Sequence, residues 1–330
     1  MRDTLRNIMS RVESRALGPD PNRRAFTPGR AWDTLLQMPV ATNVLAGDIG
    51  GTNTRLCGFR AEGGRLLLQA EGTQKNSDAA SLAELVGRFL EHHRLKCQHA
   101  CLGVAGPVRG STVRLTNLPW EIDAERLTRS FGFDRVHLIN DLEAIAHGIE
   151  LLEVHEIETL HAGSENPDGN IAVIAAGTGL GEAGATRRSG VLAPFATEGG
   201  HADYAPASDL EVALAEHLGA RYGHVSWERV VSGSGLVNIY EFLLAERRAA
   251  APAWFDEATR SGDPAAAVAA AAQSRRCDVA MDALNVFVRA FGAEAGNLAL
   301  KLMATGGLWI GGGIAPKILD ELRKPPFLEA

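Results

Sequence analysis

The sequence predicts an α/β protein of two domains built on one repeated plan. Three observations carry this. An apolar strand, a Gly-rich turn and a second strand at residues 44–59 recur at residues 171–183, about 130 residues further on. Between them, residues 135–145 read as a buried strand running straight into a helix, with Asn140-Asp141 at the junction. The chain has 330 residues, more than one core commonly holds.

Taken in order, residues 1–40 stand apart. They hold seven Arg, four scattered prolines and no sustained period, and read as a poorly ordered extension. A first, smaller domain is expected over 41–152. Its strand, turn and strand at 44–59 are followed by a third strand over 65–70, after the Gly63-Gly64 turn. Ser81-Leu82-Ala83-Glu84 is a capping box, and Leu82, Leu85, Val86, Phe89 and Leu90 give helical spacing behind it. A strand over 100–105 ends in Gly106-Pro107. Residues 115–120 read as a loop, 124–130 as a short helix. The strand into Asp141 comes next, and Leu142, Ile145, Ile149 and Leu152 form the apolar face of its helix.

A second, larger domain is expected over 153–330. It opens on the strand, turn and strand of 171–183, followed by the polar segment Glu198-Gly199-Gly200-His201. Ser208-Asp209-Leu210-Glu211 is another capping box, for a helix to about Arg221. A short helix over 226–230 and a longer one over 236–247 follow. Asp263-Pro264 supplies an N-cap and an N1 proline for an alanine-rich helix, a matter of propensity and not of function. Residues 278–305 read as one long helix stopped by Gly306-Gly307. A strand and Gly turn at 308–314 and a helix from Pro316 complete the chain.

Composition narrows the function. A net charge of −7 argues against nucleic acid or an anionic membrane as the partner. No apolar run approaches the ~20 residues that span a bilayer. Four scattered cysteines form neither a zinc motif nor a disulfide framework and suit a reducing, cytoplasmic setting.

Gly-rich turns after strands present backbone N–H groups to phosphate without side-chain obstruction. Gly47, Asp48, Ile49, Gly50, Gly51, Thr52 and Asn53 form one. Gly177, Thr178 and Gly179 form a second, and Gly311, Gly312 and Gly313 a third. The first two lack the Gly-Lys-Ser/Thr ending of a P-loop, and both lead into a strand, unlike a dinucleotide fingerprint. Asp48 would repel a phosphate unless a cation intervened, and Mg²⁺ held by Asp48, through water, resolves that conflict. Asp141 at a strand-to-helix junction has two readings, a helix cap and a catalytic base. Glu198, His201 and Glu228 are acceptors and donors suited to sugar hydroxyls. A His/Glu metal site finds no third ligand at suitable spacing.

These segments, together with Ile139-Asn140-Asp141 and residues 223–229, occur in an order and spacing that resemble the bacterial glucokinase family over about residues 44–320. The resemblance implies the hexokinase–actin ATPase-like fold: two actin-like (ribonuclease H-like) domains, each on a mixed five-stranded sheet flanked by helices, closing over a cleft. It implies an ATP-dependent glucokinase making glucose 6-phosphate, the entry step of glycolysis, with Mg²⁺ as cofactor and a homodimer as the candidate assembly. Asp141 becomes the base for the sugar 6-hydroxyl. Asn117, Asn140, Asp141, Glu198, His201 and Glu228 become sugar ligands, and the third Gly turn holds the adenosine end. Family members continue by a further strand and helix, so the chain reads as short at its C terminus, with apolar surface exposed there as the expected consequence.

Two alternatives stand beside this. One is another hexose or amino-sugar kinase of the same fold, although the zinc-bearing group would show a Cys-rich motif after His201, and none follows. The other is an inactive or regulatory sugar-binding relative. Its DNA-binding form would need a helix-turn-helix ahead of residue 44, where prolines interrupt the chain.

Overall fold

The computed structural model describes residues 41–62, 65–115, 118–164, 166–188 and 191–330. The reading of 1–40 as an extension and the assignment of Asn117 lie outside them. The described chain divides into two compact units, one of residues 41–156 with 185–196, the other of 157–184 with 197–330. Residues 185–196 thus group with the first unit, although their place in the sequence assigns them to the second domain.

The first unit is built on a five-stranded mixed sheet of order β3-β2-β1-β4-β7. β1 (Thr42–Ile49), β2 (Asn53–Glu62) and β3 (Arg65–Lys75) form an antiparallel meander. β3 runs five residues further than its apolar stretch suggests, because its alternating half-buried pattern continues through polar residues. β4 (His99–Val104) and β7 (Arg135–Asn140) add parallel to β1. Between them in sequence comes a small antiparallel pair, β5 (Thr112–Arg114) and β6 (Glu121–Asp123), on either side of the 115–120 segment read as a loop and not itself expected from the sequence. The helices are α1 (Leu82–His92), α2 (Ala124–Phe131) and α3 (Asp141–Gly148). Ser81 caps α1 by accepting from Glu84 N, and Asp123 caps α2. The core gathers Leu45, Ile49, Leu56, Leu85, Phe89, Leu102 and Trp120.

In the second unit, β8 (Ile171–Ala176) is buried at every residue, as a central strand covered on both faces must be. The sheet order is β10-β9-β8-β11, with β9 (Leu180–Arg188), β10 (Val191–Thr197) and β11 (Gly307–Gly311); the residues of β9 and β10 within 185–196 are those that group with the first unit. Among the described residues this sheet has four strands, one fewer than the resemblance implies. α4 (Asp209–Tyr222) starts at the Ser208 cap. α5 (Gly233–Glu246) begins three residues before its apolar periodicity does, because Ser232 caps it through Gly235 N. α6 (Ala253–Ser261) precedes α7 (Pro264–Gln273), which has its Asp263 cap and N1 proline. α8 (Asp278–Leu302) ends earlier than the Gly306-Gly307 pair suggests. Met303 takes the left-handed conformation at φ 49° and donates to Ala299 O and Leu300 O, closing the helix itself. Short turns α9 (Leu319–Leu322) and α10 (Pro325–Leu328) finish the chain. The core here is Ile174, Leu214, Leu218, Tyr240, Phe287 and Phe291. All four cysteines are free thiols. Among the described residues, no helix is long and apolar enough to cross a membrane.

Candidate functional site

In the first unit, β1, β4 and β7 run parallel and end level. Ile49 pairs with Val104, and Val104 with Asn140. The first Gly turn and the Asn140-Asp141 junction therefore emerge at the same sheet edge, two strand spacings or about 10 Å apart. That edge, beyond the carboxyl ends of strands, is where α/β sheets bind ligands.

Of the first turn, Gly47, Asp48 and Ile49 are strand residues, and Gly50, Gly51 and Thr52 make the bend. Gly50 N–H donates to Asn53 O at 3.1 Å. The bend is held from behind by Asn76, a residue the sequence does not single out. Asn76 is 1% exposed. Its Nδ2 donates to Gly50 O at 2.8 Å, and its Oδ1 accepts from Thr54 Oγ1 at 2.8 Å. Gly51 and Thr52 are exposed, so the outer face of the bend is open.

The Asp48 carboxyl is pushed up from its ordinary 3.8 to about 6, chiefly by burial, against the opposing charge of Arg55. A site that disfavours a bare carboxylate is one in which a cation restores the charged form. Among the described residues, no three His, Cys, Asp or Glu side chains cluster to hold a metal. The residues present fit an ion held by one protein carboxylate together with phosphate and water oxygens, the common Mg²⁺ pattern.

At the junction, the cap is Asn140 and not Asp141. Asn140 Oδ1 accepts from Leu142 N at 2.9 Å and Glu143 N at 3.3 Å, and its Nδ2 donates to Gly106 O at 3.4 Å. Asp141 is the first residue of α3, half-buried, and its Oδ1 accepts from Leu142 N at 3.0 Å. The capping role is filled by a neighbour, and Asp141 stands at the first helical position.

In the second unit, the other two Gly turns lie side by side. β11 pairs parallel with β8, with Gly311 opposite Ala175. Ile314 N–H donates to Ala176 O at 3.2 Å, and Gly177 N–H donates to Gly179 O at 2.8 Å. Gly233 N–H, at the start of α5, donates to Gly177 O at 2.8 Å. Thr178 is exposed at the tip, and Gly312 is buried between the strands while Gly313 is half-buried.

Glu198, His201 and Glu228, the residues expected to meet sugar hydroxyls, lie in this same unit. Glu198 and His201 flank a single 3₁₀ turn, with His201 Nε2 3.9 Å from Glu198 Oε2. Glu228 sits in a second 3₁₀ turn, Trp227–Arg229. The two segments are stitched by Trp227 N–H to Ala202 O at 3.0 Å and Tyr204 N–H to Val225 O at 2.9 Å. His224 Nε2 lies 2.7 Å from Asp203 Oδ1, and Tyr204 stacks edge-on against Trp227 at 5.0 Å. Glu228 also reaches the second Gly turn. Its Oε2 accepts from Leu180 N at 3.0 Å, and a Cβ on Gly179 would stand 2.3 Å from that oxygen. A glycine at 179 is what lets the carboxylate approach.

The chain is similar to known proteins over most of its length. A family model described as glucokinase matches residues 45–330. A glucokinase of Nostoc punctiforme is 39% identical over 303 residues, covering 87% of this chain and 89% of that protein. A glucokinase of another Nostoc strain is 40% identical over 304 residues, with the same coverage. The crystal structure of a glucokinase from an Antarctic psychrotroph matches with a TM-score of 0.71 at 33% identity, covering 87% of this chain and 88% of that one. This chain belongs to the glucokinase family.

Proposed function

We propose that this protein is an ATP-dependent glucokinase acting in the cytoplasm, with Asp141 as the general base. The observation that carries the reading is the shared sheet edge of the first unit. It brings out at one edge a buried carboxyl suited to a cation, Asp48, level with Ile139 on β7, and two residues further along β7 the carboxylate at the start of α3, Asp141. Phosphoryl transfer needs those two functions together with positioning.

Asn117, Asn140, Glu198, His201 and Glu228 bind the sugar hydroxyls. The backbone of the first two Gly turns takes the phosphates, and Gly311 to Gly313 the adenosine end. Asp48 would hold Mg²⁺ through water, and the ion would supply positive charge against the phosphates. As the sugar O6 bonds to the γ-phosphorus, the bond from that phosphorus to the β,γ-bridging oxygen breaks and ADP leaves. Asp141 accepts the O6 proton in that step. An ordinary carboxylate is ionised at pH 7 and takes the proton as it becomes acidic in the transition state.

The test is turnover of ATP with a panel of hexoses, by the native chain and by Asp141→Asn. Glucose is expected to be the preferred acceptor. The variant is expected to lose about 10²-fold or more of kcat, with glucose affinity within a few-fold. Unchanged kcat in Asp141→Asn removes the base assignment.

A further inference from the structure

A buried carboxyl pair stands behind the segment that carries Glu198 and His201. Glu182 on β9 is 2% exposed and Glu294 on α8 is fully buried. Glu294 is well supplied with partners. Lys301 Nζ donates to its Oε1 at 3.0 Å, and Asn297 Nδ2 donates to its Oε2 at 3.0 Å. Glu182 has neither a lysine nor an amide of its own: its side chain meets that of Glu294, and its Oε1 is buried without a hydrogen-bond partner. Its other oxygen lies against the main chain of Gly199, where an added Cβ would stand 1.9 Å from Oε2. The same stretch is tied to β9 by its backbone. Thr197 Oγ1 donates to Glu182 O at 3.2 Å, and Gly199 N–H donates to Thr197 Oγ1 at 3.2 Å.

One lysine balances one carboxylate. A second ionised carboxylate in this space would be uncompensated, a costly arrangement that is avoided by keeping the proton. The neutral form of Glu182 is accordingly favoured. Its carboxyl is pushed up to about 8, first by burial and then by the charge of Glu294, with Lys301 opposing and a hydrogen bond to Glu294 adding to the rise. The charged groups facing it are Glu294 and Lys301 from α8. On the Gly199 side, Glu198 and His201 are half exposed or more, and water screens them.

We propose that Glu182, in its neutral form, is a positioning residue for the sugar-binding segment: packed against Gly199, it holds Glu198 and His201 in their binding geometry, and its ionisation releases them. The inference rests on the reading of Glu198 and His201 as glucose ligands. A carboxylate formed here is repelled by Glu294 and must be hydrated. The main chain it touches at Gly199 is the segment that yields to admit water.

The experiment measures glucose KM, ATP KM, kcat and calorimetric glucose affinity between pH 6.5 and 9.5, in the native chain and in Glu182→Gln, Glu182→Ala, Glu198→Gln and His201→Ala. The native glucose KM is expected to rise at least about fivefold between pH 7 and 9 while the ATP KM holds. Glu182→Gln, permanently neutral and of the same shape, is expected to match the native value at pH 7 and stay flat to pH 9. Glu182→Ala is expected to raise glucose KM about tenfold at pH 7 with kcat within threefold. A native glucose KM that is flat from pH 7 to 9 overturns the proposal without need of any variant. So does an alkaline rise that persists in Glu182→Gln. If Glu198→Gln and His201→Ala leave glucose KM unchanged, the ligand reading fails and takes the proposal with it. If they raise it tenfold while Glu182→Gln follows the native profile, only the positioning role fails.

Discussion

Gly179→Ala places a methyl group 2.3 Å from Glu228 Oε2 and 3.2 Å from its Cδ. Carbon and oxygen need roughly 3.4 Å, so the carboxylate must retreat by about 1 Å. Gly179 is not among the residues with positive φ, so alanine brings no backbone strain, and the effect is confined to that contact. The retreat takes Glu228 out of reach of Leu180 N–H, now 3.0 Å away. A hydrogen bond to an ionised group is worth about 1.5–3 kcal/mol, which corresponds to roughly 10- to 150-fold in affinity. The expected outcome is a rise of that size in glucose KM, with kcat nearly unchanged, because sugar binding is lost equally in ground and transition states. Steady-state kinetics and glucose calorimetry read it. The double variant with Glu228→Gln should fall short of additivity, since both changes act on one carboxylate. A folded Gly179→Ala protein with native glucose KM refutes the reasoning.

Three further outcomes are expected. Asn140→Ala removes the cap of α3 and the bond to Gly106 O, and should lower stability by about 1–2 kcal/mol in urea titrations, with glucose affinity falling as well. Asp48→Asn keeps the shape and removes the charge, so the Mg²⁺ concentration for half-maximal rate should rise at least about tenfold while glucose affinity holds, and an unchanged Mg²⁺ requirement would count against the assignment. Glu182 has a sign that can be worked out. Its folded pKa, about 8, lies above the ordinary 4.5, so between those values the folded state keeps a proton that the unfolded state releases. Stability from this group is therefore full below pH 4.5 and declines as pH rises toward 8, by about 1 kcal/mol per unit. Urea midpoints should fall between pH 6 and 8, and Glu182→Gln should flatten that slope.

Much of the site is legible in the sequence because its parts are local. A strand ending in glycines, a Ser-x-x-Glu box or an Asp-Pro pair states its structure within a few residues, and Ser81, Ser208 and Asp263 cap their helices as written. What escapes notice depends on distant contacts. Asn76 supports the first turn from 26 residues away, and nothing near it in sequence marks that duty. Glu182 looks like a polar residue on a strand until α8 brings Glu294 and Lys301 beside it. The β5–β6 pair has three residues on each side, too few to show a period of two. At the junction, sequence patterning fixes the neighbourhood but not which of two adjacent side chains caps, since Asn and Asp are about equally good.

The Asn140-Asp141 pair owes its place at the sheet edge to strand register. Six residue pairs, from His99 with Arg135 to Val104 with Asn140, lock β7 onto β4. Side chains alternate along a strand, so a slip by a single residue would turn every one of them to the opposite face. The Asn140 amide would then turn away from Gly106 O, to which it now donates at 3.4 Å, so a one-residue insertion or deletion in β7 disturbs the junction as well as the strand. Point substitutions on the exposed positions of the same strand, Arg135 and His137, leave that alignment alone.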